Sequence, residues 1–218
     1  MQRLSSVIAT TPACASEPIG ARSSPAISFE IAPAGKTFTQ AVSAARSLIQ
    51  AIVAGLSAAG DVFGMQTIVV NPPLRSQRDV DALLEGIADG TLSILASDHA
   101  PHAEFEKEVE FDAAPFGIIG LETELGLFLD LLVHKHRKID IVRLIEMYTL
   151  EPAKLLGLEA GTLSVGAPAD VTLIDPDLEW TVKIDKFESA SRNSPFDGWK
   201  LKGRAVRTMV GGKTVWKL

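Results

Sequence analysis

Cysteine, aromatic residues and histidine are scarce in this chain. Its 218 residues include one cysteine, four histidines and 6% aromatics. The single thiol, Cys14, cannot form an internal disulfide framework or a cysteine zinc site, so the composition favours a reducing compartment and predicts a cytoplasmic protein. The net charge of −6 at pH 7 gives no electrostatic support for binding nucleic acid or an anionic membrane. A small-molecule substrate fits this balance better.

Long apolar runs are also missing. No stretch of about 18 residues is free of charges and turn signals, and residues 1–15 lack the pattern of a secretory signal, so neither a membrane span nor a signal peptide is predicted. Residues 1–35 are rich in Ser, Ala and Pro and resemble an untidy N-terminus, a transit peptide or a disordered leader. The remaining composition, with 46% apolar and 22% charged residues, is that of a globular protein.

Hydrophobic periodicity predicts an α/β order in the middle of the chain. One amphipathic helix is predicted over 38–58, followed by a short strand at 65–70. Ser76 and Asp79 have the spacing of a capping box and predict the start of a second helix. The apolar run 91–96 is typical of a strand buried in a parallel sheet, and helices are predicted over 121–133 and from Asp140.

After residue 160 the pattern changes to short strands. They are predicted over 162–165, 171–174, 180–183, 204–210 and 213–217. Gly211 and Gly212 separate the last two runs and indicate a β-hairpin. The sequence therefore predicts a small β-module after the α/β part.

Polar residues suited to catalysis are concentrated in 97–102, SDHAPH. This segment follows a predicted buried strand, and α/β folds place their active residues at such carboxyl ends. Asp98, His99 and His102 supply the groups needed for metal binding and proton transfer. The alternative is a capping carboxylate with two exposed histidines.

Five motifs, in order, resemble the C-terminal portion of a class I dihydroorotase, a zinc-dependent cyclic amidohydrolase of pyrimidine biosynthesis. They are 71–75 (NPPLR), 97–102 (SDHAPH), 114–123 (APFGIIGLET), 149–157 (TLEPAKLLG) and 161–175 (GTLSVGAPADVTLID). The resemblance implies an α/β fold: a partial amidohydrolase-type (β/α)8 barrel, containing the last strands and helices, followed by a small β-sandwich module. The expected divisions are a divergent, partly disordered segment 1–66, the barrel part 67–158 and the β-module 159–218.

The resemblance also implies a function and roles for individual residues. The expected reaction is the reversible ring opening of dihydroorotate to N-carbamoyl-aspartate at two zinc ions. Asp98 corresponds to the aspartate that binds a metal and transfers the proton, and Asn71 and His102 correspond to substrate contacts. Phe116 and Gly117 correspond to positions that hold the pyrimidine ring. The alternatives to these substrate-binding roles are structural: Asn71 would only form a turn, and Phe116 would only pack in the core.

The metal ligands depart from the family pattern. The family uses a His-x-His pair on its first strand, a mid-barrel lysine or aspartate and two further histidines, but this chain has no histidine before His99. Its one His-x-His, formed by His134 and His136, follows an apolar helix and is expected to be a surface helix end. Asp98 is then the only family metal ligand, and one carboxylate cannot hold two zinc ions.

Several interpretations follow from this departure. The first is a truncated dihydroorotase, and the second is a noncatalytic dihydroorotase-like subunit that partners aspartate carbamoyltransferase. A third is a piece that completes a barrel supplied by another polypeptide. An allantoinase or dihydropyrimidinase type of cyclic amidohydrolase is the alternative within the enzyme class, and a homodimer is a candidate assembly.

Overall fold

The computed structural model describes residues 6–9, 76–110 and 112–218. Asn71, the predicted helix 38–58 and the predicted strand 65–70 lie outside these ranges. The helices are α1 (Gln77–Ala88), α2 (Glu104–Lys107), α3 (Glu124–Phe128), α4 (Ile141–Tyr148) and α5 (Leu150–Leu156), with a π-helical stretch Leu129–Lys135 and a 3-10 turn Ile184–Lys186. The strands are β1 (Ser6–Ala9), β2 (Val171–Thr181), β3 (Lys200–Val210) and β4 (Lys213–Lys217). No helix in the described ranges has the length and apolar character needed to cross a membrane.

The predicted capping box at the start of α1 is confirmed. The Ser76 Oγ accepts a hydrogen bond from the Asp79 amide at 3.4 Å, and the Asp79 carboxylate accepts one from the Ser76 amide at 3.1 Å. These bonds satisfy backbone donors that an uncapped helix would leave unpaired. The apolar face of the helix buries Leu84 and Ile87 in the core.

The prediction of a regular strand at 91–96 is wrong. This segment is not part of a ladder, although Leu95 is buried and its amide donates to the Met147 carbonyl at 3.2 Å. Parallel pairing in this region is limited to one isolated bridge between His99 and Ile118. A strand needs a neighbouring strand to take up its backbone groups, and no strand of the described residues lies beside 91–96.

The apolar run 121–133 is helical, as predicted, but it begins at Glu124 and changes its winding. α3 passes directly into the π-helical stretch, where the His136 amide donates to the Leu131 carbonyl at 2.8 Å. Phe128, Leu129 and Leu132 are completely buried and form the centre of the core. The Asp140 side chain caps α4, as predicted, by accepting a hydrogen bond from the Arg143 amide at 2.8 Å.

The strands form one antiparallel sheet in the order β1-β2-β3-β4. The predicted runs 171–174 and 180–183 belong largely to a single strand, β2, whose pairing with β3 is interrupted between Asp175 and Glu179. Pro176 lies in this interruption, because proline has no N–H to donate to a ladder. The predicted hairpin is confirmed, with Gly211 and Gly212 both at positive φ between β3 and β4.

The described residues do not confirm the β-sandwich expected for the β-module, and one predicted strand is wrong. They form a single four-stranded sheet, so the second layer of a β-sandwich is not found among them. The predicted strand 162–165 is irregular instead, with the Ser164 amide donating to the Thr162 hydroxyl at 3.2 Å and a turn beginning at Val165. Such local side-chain bonds compete with pairing in a sheet. β1 was not predicted, and it pairs with β2 from Ser6 opposite Ile174 to Ala9 opposite Val171.

A glycine allows the helical layer to approach the sheet closely. Gly203 on β3 has a φ of 101°, and a Cβ atom there would lie 2.5 Å from the Leu129 Cδ1. The Gly203 carbonyl accepts a hydrogen bond from the Trp180 indole at 3.0 Å. The β-module therefore packs directly against α3 and the π-helical stretch.

Candidate functional site

Two loops run side by side at the candidate site. One is formed by residues 97–102, and the other, the Phe116 loop, is formed by residues 114–121. The Ala100 amide donates to the Ile118 carbonyl at 2.9 Å, next to the parallel bridge between His99 and Ile118. Asp98 comes immediately before this contact and has a φ of 50°, in the left-handed region that a residue with a side chain rarely adopts. Such backbone conformations are frequent at functional sites because the surrounding structure must hold them in place.

Three of the predicted site residues, His102, Phe116 and Gly117, lie in these two loops and close to one another. The His102 Nε2 lies 2.9 Å from the Phe116 carbonyl oxygen. A carbonyl only accepts hydrogen bonds, so the Nε2 of His102 carries a proton and donates it. Phe116 is 59% exposed, so it is not part of the core that the described residues form. His102 and Phe116 are therefore in direct contact where the two loops meet.

Gly117 is required by the close approach of the two loops. Its φ of 124° is unfavourable for other residues, and a Cβ atom would lie 2.4 Å from the Ala100 Cβ. A side chain at this position would therefore push the Phe116 loop away from residues 97–102.

His99 has a structural contact on one side of its ring. Its Nδ1 accepts hydrogen bonds from the Gly120 and Leu121 amides at 3.2 and 3.4 Å. An accepting nitrogen carries no proton, so the Nε2 carries it in the neutral ring. His99 thus holds the end of the Phe116 loop.

A cavity of about 660 Å3 is lined by His102 and lies between α2 and the segment 190–193. Lys107 and Arg192 line it, whereas Asp98 does not. The Lys107 Nζ donates to the Pro115 carbonyl at 2.6 Å, and burial lowers the pKa of this ammonium group. Lys107 and Arg192 therefore line the same cavity as His102.

The described residues do not contain a complete metal centre. No group of three or more His, Cys, Asp or Glu side chains within them could hold a metal ion. His134 is half-buried and its Nε2 bonds to the Pro176 carbonyl at 2.8 Å, so it connects the end of the π-helical stretch to β2. This contact is consistent with the expectation that His134 and His136 form a helix end.

Sequence reasoning missed two residues that shape the site. Asn193 and Glu122 both connect the β-module to the loop region. Asn193 bonds to Ala100, Gly117 and His102. Glu122 bonds to Glu188 and Ser189. Asn193 carries no sequence signal, and the motif 114–123 that contains Glu122 does not indicate its partners, which are distant in the chain. Only the fold brings them together.

Residues 47–215 match the amidohydrolase family model. The dihydroorotase of Citrifermentans bemidjiense is 53% identical over 148 residues, which are 68% of this chain and 34% of that protein. The dihydroorotase of Pelotomaculum thermopropionicum is 52% identical over 155 residues, 71% of this chain and 36% of that protein. This chain spans about a third of the length of these curated relatives. The predicted resemblance to the C-terminal portion of a dihydroorotase is confirmed.

Solved structures support the same relationship. A dihydropyrimidinase from Brevibacillus agri superposes with a TM-score of 0.65 at 27% identity, over 70% of this chain and 34% of that one. An L-hydantoinase (dihydropyrimidinase) from Arthrobacter aurescens gives a TM-score of 0.64 at 32% identity, over 79% of this chain and 43% of that one. The described fold is therefore part of an α/β amidohydrolase.

Proposed function

The chain belongs to the amidohydrolase family, and on that basis we propose that it is the C-terminal part of a dihydroorotase-type enzyme, which opens the ring of dihydroorotate reversibly to N-carbamoyl-aspartate. The single observation that carries this proposal is the grouping of His102, Phe116 and Gly117, in segments that resemble those of dihydroorotases. The His102 Nε2 lies 2.9 Å from the Phe116 carbonyl within that grouping.

The proposed chemistry assigns proton transfer to Asp98. Water adds to the ring amide carbonyl, the carbon–nitrogen bond of the ring breaks, and the departing nitrogen needs a proton. A carboxylate at this position accepts the proton that the attacking water loses and returns it to the nitrogen. His102 and the backbone of Phe116 and Gly117 orient the substrate, and Asn71 is proposed as a further substrate contact.

Family membership implies a metal cofactor, typically zinc, but the residues of this chain do not fit a two-zinc site. The described residues hold no cluster of three ligands, and the whole sequence has no histidine before His99. The proposal therefore includes no step at a metal formed by this chain alone. The remaining ligands would have to come from residues outside this chain, in the same or in another polypeptide.

The structural neighbours favour a second candidate within the same reaction class. Their dihydropyrimidinase names indicate a cyclic amide ring other than dihydroorotate. The 53% identity to a dihydroorotase, against 27% to the Brevibacillus agri enzyme, makes dihydroorotate the first choice. A cytoplasmic location belongs to the same proposal, with either a homodimer or a complex with aspartate carbamoyltransferase as the assembly.

A chimaera tests the proposal. The matching third of the Citrifermentans bemidjiense dihydroorotase is replaced by residues 71–218 of this chain, and ring opening of dihydroorotate is measured with zinc present. We expect turnover that falls by about 100-fold or more in Asp98→Ala, the contribution expected of a general acid–base. Asp185→Ala, which removes an exposed carboxylate, is the matched control.

The chain by itself is assayed in parallel, and we expect no turnover because it lacks the metal ligands. A folded chimaera that acts on dihydropyrimidine but not on dihydroorotate would favour the second candidate. A folded chimaera that hydrolyses neither ring, or whose activity is unchanged by Asp98→Ala, would refute the proposal.

A further inference from the structure

Asn193 is a buried polar residue that belongs to the β-module but contacts both loops of the candidate site. It lies in the segment between the 3-10 turn and β3 and is 7% exposed. Its Nδ2 donates to the Ala100 carbonyl at 3.0 Å and to the Gly117 carbonyl at 3.2 Å. Its Oδ1 accepts from the His102 amide at 3.3 Å. One side chain therefore connects the loop 97–102 to the Phe116 loop.

The chemistry of these partners requires an amide. Two carbonyl groups need donors and one amide N–H needs an acceptor, and a carboxamide supplies both kinds of group on one planar end. The aspartate side chain has almost the same shape, but as a carboxylate it cannot donate to the carbonyls of Ala100 and Gly117. The Asn193 backbone adds a fourth bond, because its carbonyl accepts from the Ile119 amide at 3.1 Å.

The segment that carries Asn193 is itself held against the loop region. The Glu122 carboxylate accepts hydrogen bonds from the Glu188 and Ser189 amides, both at 3.0 Å. Arg192, next to Asn193, donates to the Ser189 and Ser191 carbonyls. Phe196 is completely buried on the other side of Asn193. The position of the Asn193 amide is therefore fixed both by contacts within residues 189–196 and by the contact of this segment with Glu122 of the loop region.

We infer that Asn193 is a positioning residue: its amide sets the spacing between the two loops and so places the His102 ring against the Phe116 carbonyl. The inference rests on the proposed function in so far as His102 and Phe116 are taken to bind substrate. It deepens that proposal by giving the β-module a role in the site, which is to hold the substrate-facing loops from behind.

Nuclear magnetic resonance of the full chain tests the inference through its histidines. The chain has four, so with 15N-labelled histidine each imidazole gives resolvable ring signals. In the unaltered protein the His102 ring should show a proton on Nε2, and its backbone amide should exchange slowly with solvent, because Asn193 accepts from it. Fast exchange of this amide would overturn the inference without any variant.

Asn193→Ala and Asn193→Asp are then compared, and His134 is the internal reference because its partner is the Pro176 carbonyl. We expect the His102 ring signals to move and its amide to exchange at least tenfold faster in both variants, while the His134 signals stay unchanged. Asn193→Asp keeps the size and one acceptor, so it separates loss of the donors from loss of packing. Unchanged His102 signals in a folded variant would overturn the inference.

Substrate binding distinguishes this inference from the proposed function. Dihydroorotate is titrated into the chimaera described above and into its Asn193→Ala form, and we expect a dissociation constant about tenfold larger in the variant, the effect of losing a net hydrogen bond or two at the loops. If dihydroorotate binds neither form although the His102 signals respond to Asn193, the proposed function fails and the positioning role stands. Equal binding by both forms, with unchanged His102 signals, overturns the positioning role alone.

Discussion

Glu124 is expected to make the stability of this protein depend on pH. It is the first residue of α3, and its Oε2 is buried with no hydrogen-bond partner among the described residues. Burial raises the pKa of the Glu124 carboxyl from its ordinary value of 4.5 to about 8. The folded protein therefore keeps this group neutral at pH 7, whereas the unfolded chain ionises it.

The sign and size of the effect follow from this difference. Below pH 4.5 the Glu124 carboxyl is protonated in both states and does not change the free energy of unfolding. Between pH 4.5 and about 8 only the unfolded chain loses the proton, so the free energy of unfolding falls as pH rises. Above about pH 8 the loss is complete. A tenfold change in a dissociation constant corresponds to about 1.4 kcal/mol, so the total loss is at most about 5 kcal/mol, of which about 3 kcal/mol is reached by pH 7.

Glu124→Gln removes the titration and keeps the size of the side chain. We expect the variant to be more stable than the unaltered protein by up to about 3 kcal/mol at pH 7 and by less at pH 5, as measured by urea unfolding followed by tryptophan fluorescence. Glu85→Gln, on the exposed face of α1, is the matched control and should change stability little. Equal pH dependence of the unaltered protein and Glu124→Gln between pH 5 and 9 would refute the reasoning.

Three further predictions can be checked by the same unfolding measurements. Tyr148→Phe should stabilise the protein by about 1 kcal/mol, because the buried Tyr148 hydroxyl has no hydrogen-bond partner among the described residues. Burial, together with the nearby Glu124 carboxylate, raises the pKa of that hydroxyl. A loss of stability in the variant would contradict this prediction. Ser76→Ala should cost about 1 kcal/mol through loss of the cap of α1, and an unchanged urea midpoint would contradict that role. Gly117→Ala should cost more than 1 kcal/mol and move the His102 ring signals, because its Cβ would lie 2.4 Å from that of Ala100; a stability equal to that of the unaltered protein would exclude the close approach.

Much of the local structure could be predicted because it depends on neighbours in the chain. The capping box at Ser76, the cap at Asp140 and the Gly211-Gly212 hairpin each involve residues within a few positions of one another, and all three are confirmed. The predictions at 91–96 and 162–165 failed for the opposite reason. An apolar or β-branched run becomes a strand only where another strand accepts its backbone hydrogen bonds, and the run itself does not contain that information.

The candidate site divides in the same way. The motif 97–102 and the Phe116-Gly117 pair could be found from the sequence, because their residue types and order resemble a known family. The contact between His102 and the Phe116 carbonyl, and the exposure of the Phe116 side chain, could not. Roles for Asp98, Asn71, His102, Phe116 and Gly117 in catalysis stay predictions, which the chimaera is designed to test.

The family, the order of helices before a β-module and the helix caps could all be predicted from the amino-acid sequence. The same sequence has no histidine before His99, so this chain lacks the histidine ligands of the family's two-zinc site. The contacts of Asn193 with the two loops, and the position of the buried Glu124 near Tyr148, depend on the three-dimensional fold. The reason is physical: caps and turns are settled by residues a few positions apart, whereas burial and long-range hydrogen bonds depend on which distant segments share the same space.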